Sequence, residues 1–356
     1  RRSHIDPDQV DAVLMGQVIQ AGSGQMSARQ AATIADIPLS VPATSINKAC
    51  LSGLNTIHLA DLMVRAGEAD VIVAGGMESM TQAPFLITRA RGGLRFGDEI
   101  LHDSILHDGL RCGIEHLVMG EATDRDAALA GILREAQDRV ALLSNQRAAA
   151  SRTSGRMAEE IAPVTISKRG KDLQIVSEDE GIRADTTIDS LAALRPAFAN
   201  PGTVTAGNAS QLSDGGAAVV VTSLAHAERL GVQPIAEIVG YGQVAGPDAS
   251  LLLQPANAIR AALKSSELEI SEIDLFEINE AFAAVVVASS RDLGLADDVV
   301  NINGGAISLG HPIGMSGSRL ALTLAYELRD GRAEVGAAAL CGGGGQGDAI
   351  LLRAVR

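Results

Sequence analysis

Most of what this chain can fold into is set by an internal repeat. Asp11-Ala-Val-Leu-Met-Gly-Gln17 resembles Asp274-Leu-Phe-Glu-Ile-Asn279-Glu280. Leu51-Ser52-Gly53, opening an apolar helical pattern, resembles Met315-Ser316-Gly317. Asp70-Val-Ile-Val-Ala-Gly75-Gly76 resembles Glu334-Val-Gly-Ala-Ala-Ala-Leu340-Cys341-Gly342-Gly343. The offset holds near about 265 residues, so the chain reads as two copies of one unit. Short Val/Ile runs alternate with Ala/Leu-rich helical patterns, which predicts α/β architecture with buried, mainly parallel sheets. In the second copy Gly342-Gly343 leads almost at once into a last strand, Asp348–Leu352. In the first copy the counterpart strand is Asp214–Val221, and the intervening stretch of roughly 130 residues far exceeds an ordinary connection. The predicted organisation is a first half over 1–80, completed by about 212–232, an inserted domain over 81–211, and a second half over 233–356. The second copy opens with a strand (Pro234–Gly240) and a helix (Pro255–Leu268). The first has no room for either before Asp6, so one strand and one helix are expected to be absent there.

Charge and cysteine usage narrow the function. A formal charge of −14 argues against nucleic acid as a partner. Three cysteines without CxxC spacing suit a reducing, cytoplasmic setting rather than a disulfide framework. No apolar run reaches membrane-spanning length. The histidines outside the glycine-rich loops (His4, His58, His102, His107, His116, His226) lack zinc-site spacing, so no metal is expected.

Four stretches carry chemistry, and the repeat places them at strand ends, where α/β sheets bind ligands. In the first, Asn47-Lys48-Ala49-Cys50-Leu51-Ser52-Gly53, a β-prone run turns into a helix. Free N–H groups and the helix dipole gather there, a setting that favours thiolate and can lower a cysteine pKa into roughly 3.5–7.5. A buried structural thiol is the alternative. The second is Asn279-Glu-Ala-Phe282, in which Asn279 either serves the site or caps a helix from Glu280. The third is Gly304-Gly-Ala-Ile-Ser-Leu-Gly-His311-Pro-Ile-Gly-Met-Ser-Gly317. The fourth is Cys341-Gly-Gly-Gly-Gly-Gln-Gly347. His311 and Cys341 also admit purely structural readings. The Gly342–Gly347 run satisfies G-x-G-x-x-G, but a strand follows it, which rejects dinucleotide binding. A thiolate nucleophile needs a base and an oxyanion site. Together these stretches offer two cysteines, a histidine, an asparagine and loop N–H groups, a set suited to acyl transfer through a thioester. Lys168-Arg169-Gly170-Lys171 reads as a basic turn, either solvated or contacting an anion.

These motifs, with Gly75-Gly-Met-Glu-Ser-Met80, resemble those of the thiolase family, in the same order, from about Asp8 to Leu352. The resemblance implies a five-layered α-β-α-β-α fold of two similar halves with a loop domain inserted in the first. It implies acyl exchange on coenzyme A thioesters, which are substrates, with no tightly bound cofactor. Cys50 would carry the acyl group. His311 would deprotonate it, and Cys341 would move the α-proton. Asn279 and His311 would form one oxyanion site, and the N–H groups of Cys50 and Gly343 the other. Met119, Arg183, Phe198, Ala206, Ser210, Ala281 and Phe282 occupy the stretches that meet coenzyme A in the family. Arg183 is the candidate for its adenine or phosphate end. Met15–Ala32 looks like short-chain members, which favours an acetyl-CoA C-acetyltransferase. The alternatives are a 3-ketoacyl-CoA thiolase of broader chain length and an inactive binding or scaffold paralogue. Val118 stands where many acetoacetyl-CoA-forming members carry histidine. Dimers or tetramers are implied as well.

Overall fold

The computed structural model describes residues 2–166 and 173–355, so the basic turn at 168–171 lies outside the described residues. Eight principal strands form two four-stranded sheets. In chain order they are β1 (Ala12–Gly16), β2 (Ala43–Ile46), β3 (Val71–Ser79), β4 (Asp214–Thr222), β5 (Glu237–Ala245), β6 (Leu275–Ile278), β7 (Val335–Gly342) and β8 (Gln346–Arg353). The first sheet runs β2-β1-β3-β4 and the second β6-β7-β8-β5. β1 and β6, β3 and β7, and β4 and β8 occupy equivalent places, as the repeat requires.

Side-chain alternation explains the layering. Leu14, Ile72 and Ala74 point to one face of the first sheet, Val13, Met15, Val71 and Val73 to the other. In the second sheet Ala338, Leu340, Ile350 and Leu352 point inward, Ala337, Ala339, Ala349 and Leu351 outward. The inward sets bury against two helices, Ser52–Ala66 and Ser316–Arg329, through Leu51, Leu54, Ile57, Leu320, Leu324 and Leu328. The outward faces are covered by Ser27–Ile34 on the first sheet and by Gln254–Ser266 and Ala283–Leu293 on the second. The result is the expected α-β-α-β-α order.

The sheets are mixed rather than mainly parallel. β1 pairs parallel with β2 and β3, and β6 with β7. The pairs β3–β4, β7–β8 and β8–β5 are antiparallel. The sequence hid this because Ala/Val runs buried on both faces look alike in either orientation. The decisive element is the short loop between β7 and β8, where Gly344 and Gly345 take φ of +81° and +70°. Only glycine holds that conformation without strain, and it permits a hairpin.

At the equivalent point of the first half the chain leaves β3 and returns only at β4. The intervening residues build helices Met119–Leu129 and Arg134–Thr153 and two short antiparallel strand pairs, Phe85–Leu86 with His102–Asp103 and Val164–Ile166 with Gln174–Val176. Helix Arg134–Thr153 packs on helix Ala283–Leu293 of the second half. The outer edge of β4 has no described strand beside it, whereas β8 is flanked by β5. Accordingly β4 alternates between exposed and half-buried residues, while β8 is buried over most of its length.

The two halves meet backbone to backbone. A Cβ on Gly76 would stand 2.1 Å from the Gly314 carbonyl oxygen, and one on Gly16 would stand 2.5 Å from the same atom. Side chains are excluded there, so the His311 loop lies directly on the ends of β1 and β3.

Candidate active site

The Cys50 turn is stitched by its own polar residues. Asn47 accepts from the Ala49 N–H at 3.1 Å and donates to the Val18 carbonyl at 3.3 Å. Ser52 accepts from the Lys48 N–H at 2.8 Å and donates to the Ala49 carbonyl at 2.6 Å. Ala49 is held at φ +49°, a strained value that its neighbours over-determine. This geometry presents Cys50 just before helix Ser52–Ala66, half-buried against Val18, Ile19, Met80 and Ile313.

The Cys50 and Gly343 N–H groups point at the Cys50 sulfur. Even so, burial pushes this thiol up to about 11, because desolvation outweighs the two N–H dipoles and the carboxylate of Glu78 adds to it. The expectation of a depressed cysteine pKa is therefore overturned. The helix-terminal setting is real, but apolar neighbours surround the sulfur and no cation among the described residues acts on it. Cys341, buried at the end of β7, is likewise pushed up, first by burial and then by its proximity to Cys50. The two thiols, one from each half, are therefore near enough for Cys50 to act on the ionisation of Cys341.

His311 is buried, and desolvation, with the charge of Arg319 behind it, lowers its pKa to about 4. The imidazole is neutral at pH 7. Its Nδ1 lies 2.6 Å from Ser316 Oγ, which itself donates to the Pro312 carbonyl at 3.0 Å. The hydroxyl has one proton, and giving it to Pro312 leaves it an acceptor for Nδ1–H. Nε2 then carries the lone pair. The Asn279 carboxamide nitrogen lies 3.5 Å from both ring nitrogens, over the ring rather than in line with either lone pair. Asn279 is fully buried, and its Oδ1 has no partner among the described residues. It does not cap a helix. The following helix starts at Ala283, with Phe282 at the cap position.

Buried carboxylates fasten these loops. Glu78 accepts the N–H groups of Val18, Ile19 and Gly314 at 3.0, 3.1 and 2.9 Å, tying the His311 loop to the first half. Glu280 accepts from Ser144, Asn301 and the Ile307 N–H. Glu277 pairs with Arg319 at 3.0 Å, and burial pushes its carboxyl up to about 8. Gln211 donates to the Ile307 carbonyl at 3.0 Å and accepts, through its own carbonyl, the His311 N–H at 3.4 Å. Sequence reasoning assigned roles to none of Ser316, Glu78, Glu280 or Gln211. Three of them stood inside motifs already singled out, and the missing signal was their burial.

Of the residues assigned to coenzyme A by resemblance, Ala281 and Phe282 are buried in one cluster with Cys341, and Met119 packs on it. Phe198 meets Phe282 edge-on at 6.2 Å and lies over Gly120, where a Cβ would stand 2.4 Å from its ring. Ser210 donates to the Ala281 carbonyl at 3.0 Å. Ala206 and Arg183 are exposed and belong to no apolar cluster. The Arg183 N–H is held by Asn145 at 3.0 Å.

Family models of the thiolase N-terminal domain and the thiolase C-terminal domain match residues 1–225 and 232–354. A probable acetyl-CoA acetyltransferase of Mycolicibacterium smegmatis is 51% identical over 352 residues, spanning 99% of this chain and 91% of the relative. An acetyl-CoA acetyltransferase of Chromobacterium violaceum is 44% identical over 351 residues, 99% of this chain and 90% of that protein. The crystal structure of the Bacillus anthracis acetyl-CoA acetyltransferase superposes with a TM-score of 0.96 at 39% identity, covering 99% of this chain and 89% of that one. Likeness of this extent, in sequence and in fold and across both halves, leaves one conclusion: the chain is an acyltransferase of the thiolase family.

Proposed function

We propose that this enzyme is an acetyl-CoA C-acetyltransferase, joining two acetyl-CoA molecules to acetoacetyl-CoA and free coenzyme A, and running the reverse thiolysis. The observation that carries the proposal is a buried imidazole whose Nδ1 is already engaged by Ser316, with Cys50 and Cys341 from opposite halves near enough to act on each other. Cys50 attacks the thioester carbonyl as His311 Nε2 takes its proton. The developing oxyanion is met by the N–H groups of Cys50 and Gly343. Coenzyme A leaves with the proton from His311. His311 next takes the Cys341 proton, the Cys341 thiolate takes an α-proton from a second acetyl-CoA, and the carbanion attacks the acyl carbon. Cys50 departs as thiolate and is reprotonated, while Asn279 and His311 hold the second thioester oxygen. Removal of one oxyanion donor costs about 10²–10³ in rate.

Met119, Phe198, Ala281 and Phe282 form an apolar path to Cys341 that suits pantetheine. Exposed Arg183 suits the phosphate end of coenzyme A and reconciles an acidic chain with an anionic substrate. Ser210 and Ala206 would flank that path. Exposed Phe85, Leu94, Phe96, Ile100 and Leu101 on the excursion between β3 and β4 support association into homodimers or homotetramers. No helix among the described residues is long and apolar enough to cross a membrane. A cytoplasmic enzyme acting on small-molecule acyl-CoA fits these features.

Incubation with acetyl-CoA followed by mass spectrometry should place an acetyl group on Cys50, and its absence would favour the inert scaffold. A thiolysis profile across 3-ketoacyl chain length should peak at acetoacetyl-CoA. A tenfold preference for C8 to C16 substrates would favour the broader 3-ketoacyl-CoA thiolase.

A further inference from the structure

Next to the nucleophile turn is a buried polar assembly that the chemistry above does not use. Lys48, two residues before Cys50, donates to both carboxylate oxygens of Asp348 at 2.8 Å. Asp348 sits on β8 with its side chain 1% exposed, and Lys48 is 22% exposed. Tyr241 on β5 donates to the same carboxylate at 2.6 Å. The side chains of Asn55 and Gln243 hold the tyrosine hydroxyl. His58 lies flat on the Tyr241 ring, with centroids 3.7 Å apart and planes 1° from parallel. Lys48, Asn55 and His58 belong to the Cys50 turn and its helix. Asp348, Tyr241 and Gln243 belong to the second sheet. All six sit between the halves, beside the apolar packing of the two central helices and the Glu78 contact that also join them.

The placement of Asp348 gives this assembly a catalytic consequence. Asp348 faces Leu340 across the β7–β8 pair, and its neighbour Gly347 faces Cys341. The hairpin that carries Cys341 and Gly343 is therefore pinned, one residue away, to the turn that carries Cys50. The proposed oxyanion site takes one N–H from each side of this junction, so its span is the distance between the halves. A misplacement of about 1 Å in such a constellation can cost about 10²-fold in rate. We propose that the Lys48–Asp348–Tyr241 latch sets the span between the Cys50 and Gly343 N–H groups, making Lys48 and Asp348 positioning residues for the acyl-transfer step. This rests on the roles proposed for those two N–H groups.

Two measurements separate positioning from stability. Acetylation of Cys50 by acetyl-CoA builds an oxyanion, whereas alkylation of the same thiol by iodoacetamide builds none and meets the two N–H groups only through the resting sulfur. Asp348→Asn and Lys48→Met should slow acetylation about 10- to 100-fold through kcat, with KM within about twofold and alkylation slowed by no more than about threefold. Lys48→Arg, which keeps a bidentate donor, should recover most of the acetylation rate. The inference is overturned if both variants acetylate at the parent rate, or if acetylation and alkylation fall together in the folded variants. If Asp348→Asn does not fold, Lys48→Met and Lys48→Arg carry the test alone, because the lysine end of the pair reaches solvent. Failure of the parent enzyme to acetylate would instead remove the proposed function on which the latch depends.

Discussion

Ser316→Ala tests the proton inventory of the site. In the parent enzyme Ser316 Oγ is 2.6 Å from His311 Nδ1 and fixes the proton there. Deleting the hydroxyl removes a hydrogen bond of about 1 kcal/mol. It also leaves a buried Nδ1–H unsatisfied, at about 1–3 kcal/mol. The ring escapes most of that cost by moving the proton to Nε2. The lone pair that would accept the Cys50 proton then points at the vacated space instead. A tautomer bias of about 1.5–3 kcal/mol leaves roughly one molecule in ten to one in a hundred competent, at 1.36 kcal/mol per decade. Rapid-mixing measurement of Cys50 acetylation should therefore show a fall of about 10- to 100-fold with KM little changed. Nitrogen NMR of labelled histidine should show the proton shifting from Nδ1 to Nε2. Acetylation within twofold of the parent, or an Nε2–H imidazole already present in the parent, would refute the reasoning.

Other outcomes follow from the same geometry. His311 keeps a pKa near 4 in the folded chain against 6.5 when unfolded, so between these values the unfolded chain binds the extra proton. Stability should rise with pH across that window, by about 3 kcal/mol in total. Urea titrations of the parent and His311→Gln should differ there and run parallel above pH 7. Thiolate formation at Cys50, read by iodoacetamide alkylation in the absence of substrate, should still be climbing at pH 10. A plateau by pH 8 would contradict the burial argument. Gly76→Ala should cost about 3 kcal/mol or more, since its Cβ meets backbone 2.1 Å away, and an unchanged melting temperature would show that the halves can slide apart. Cys341→Ser should still acetylate Cys50 yet lose most condensation. Full condensation rates would remove the proton-transfer role given to that thiol.

The repeat was legible because it is written in local signals: apolar periodicity, glycines at turns, and polar residues at strand ends. Those signals placed Cys50, His311, Asn279 and Cys341 at strand ends and in glycine-rich loops, and the structure sets Asn279 3.5 Å from His311 and Cys50 near enough to Cys341 to act on it. The thiol pKa was not legible. The N–H groups around Cys50 follow from local sequence, but the desolvation that overrides them comes from Val18, Met80 and Ile313, far away in the chain. Strand direction in β8 was hidden for a similar reason, since burial on both faces erases the pattern that separates one orientation from the other. Glu78, Glu280 and Asp348 read as ordinary polar residues until their burial was visible. A carboxylate surrounded by backbone N–H donors has no one-dimensional signature.

The contrast between the two β3-like strands has a consequence for engineering. Where β7 ends, three glycines turn the chain straight back. Where β3 ends, the chain makes an excursion over residues 80–213 before β4. The excursion reaches the glycine turn, where a Cβ on Gly344 would stand 3.5 Å from Ile114, so the longer exit serves as roof to the shorter one's floor. Swapping the roof between related enzymes should retune which acyl groups enter while leaving the floor's reactivity alone. Lengthening the glycine turn should silence the enzyme whatever roof it wears.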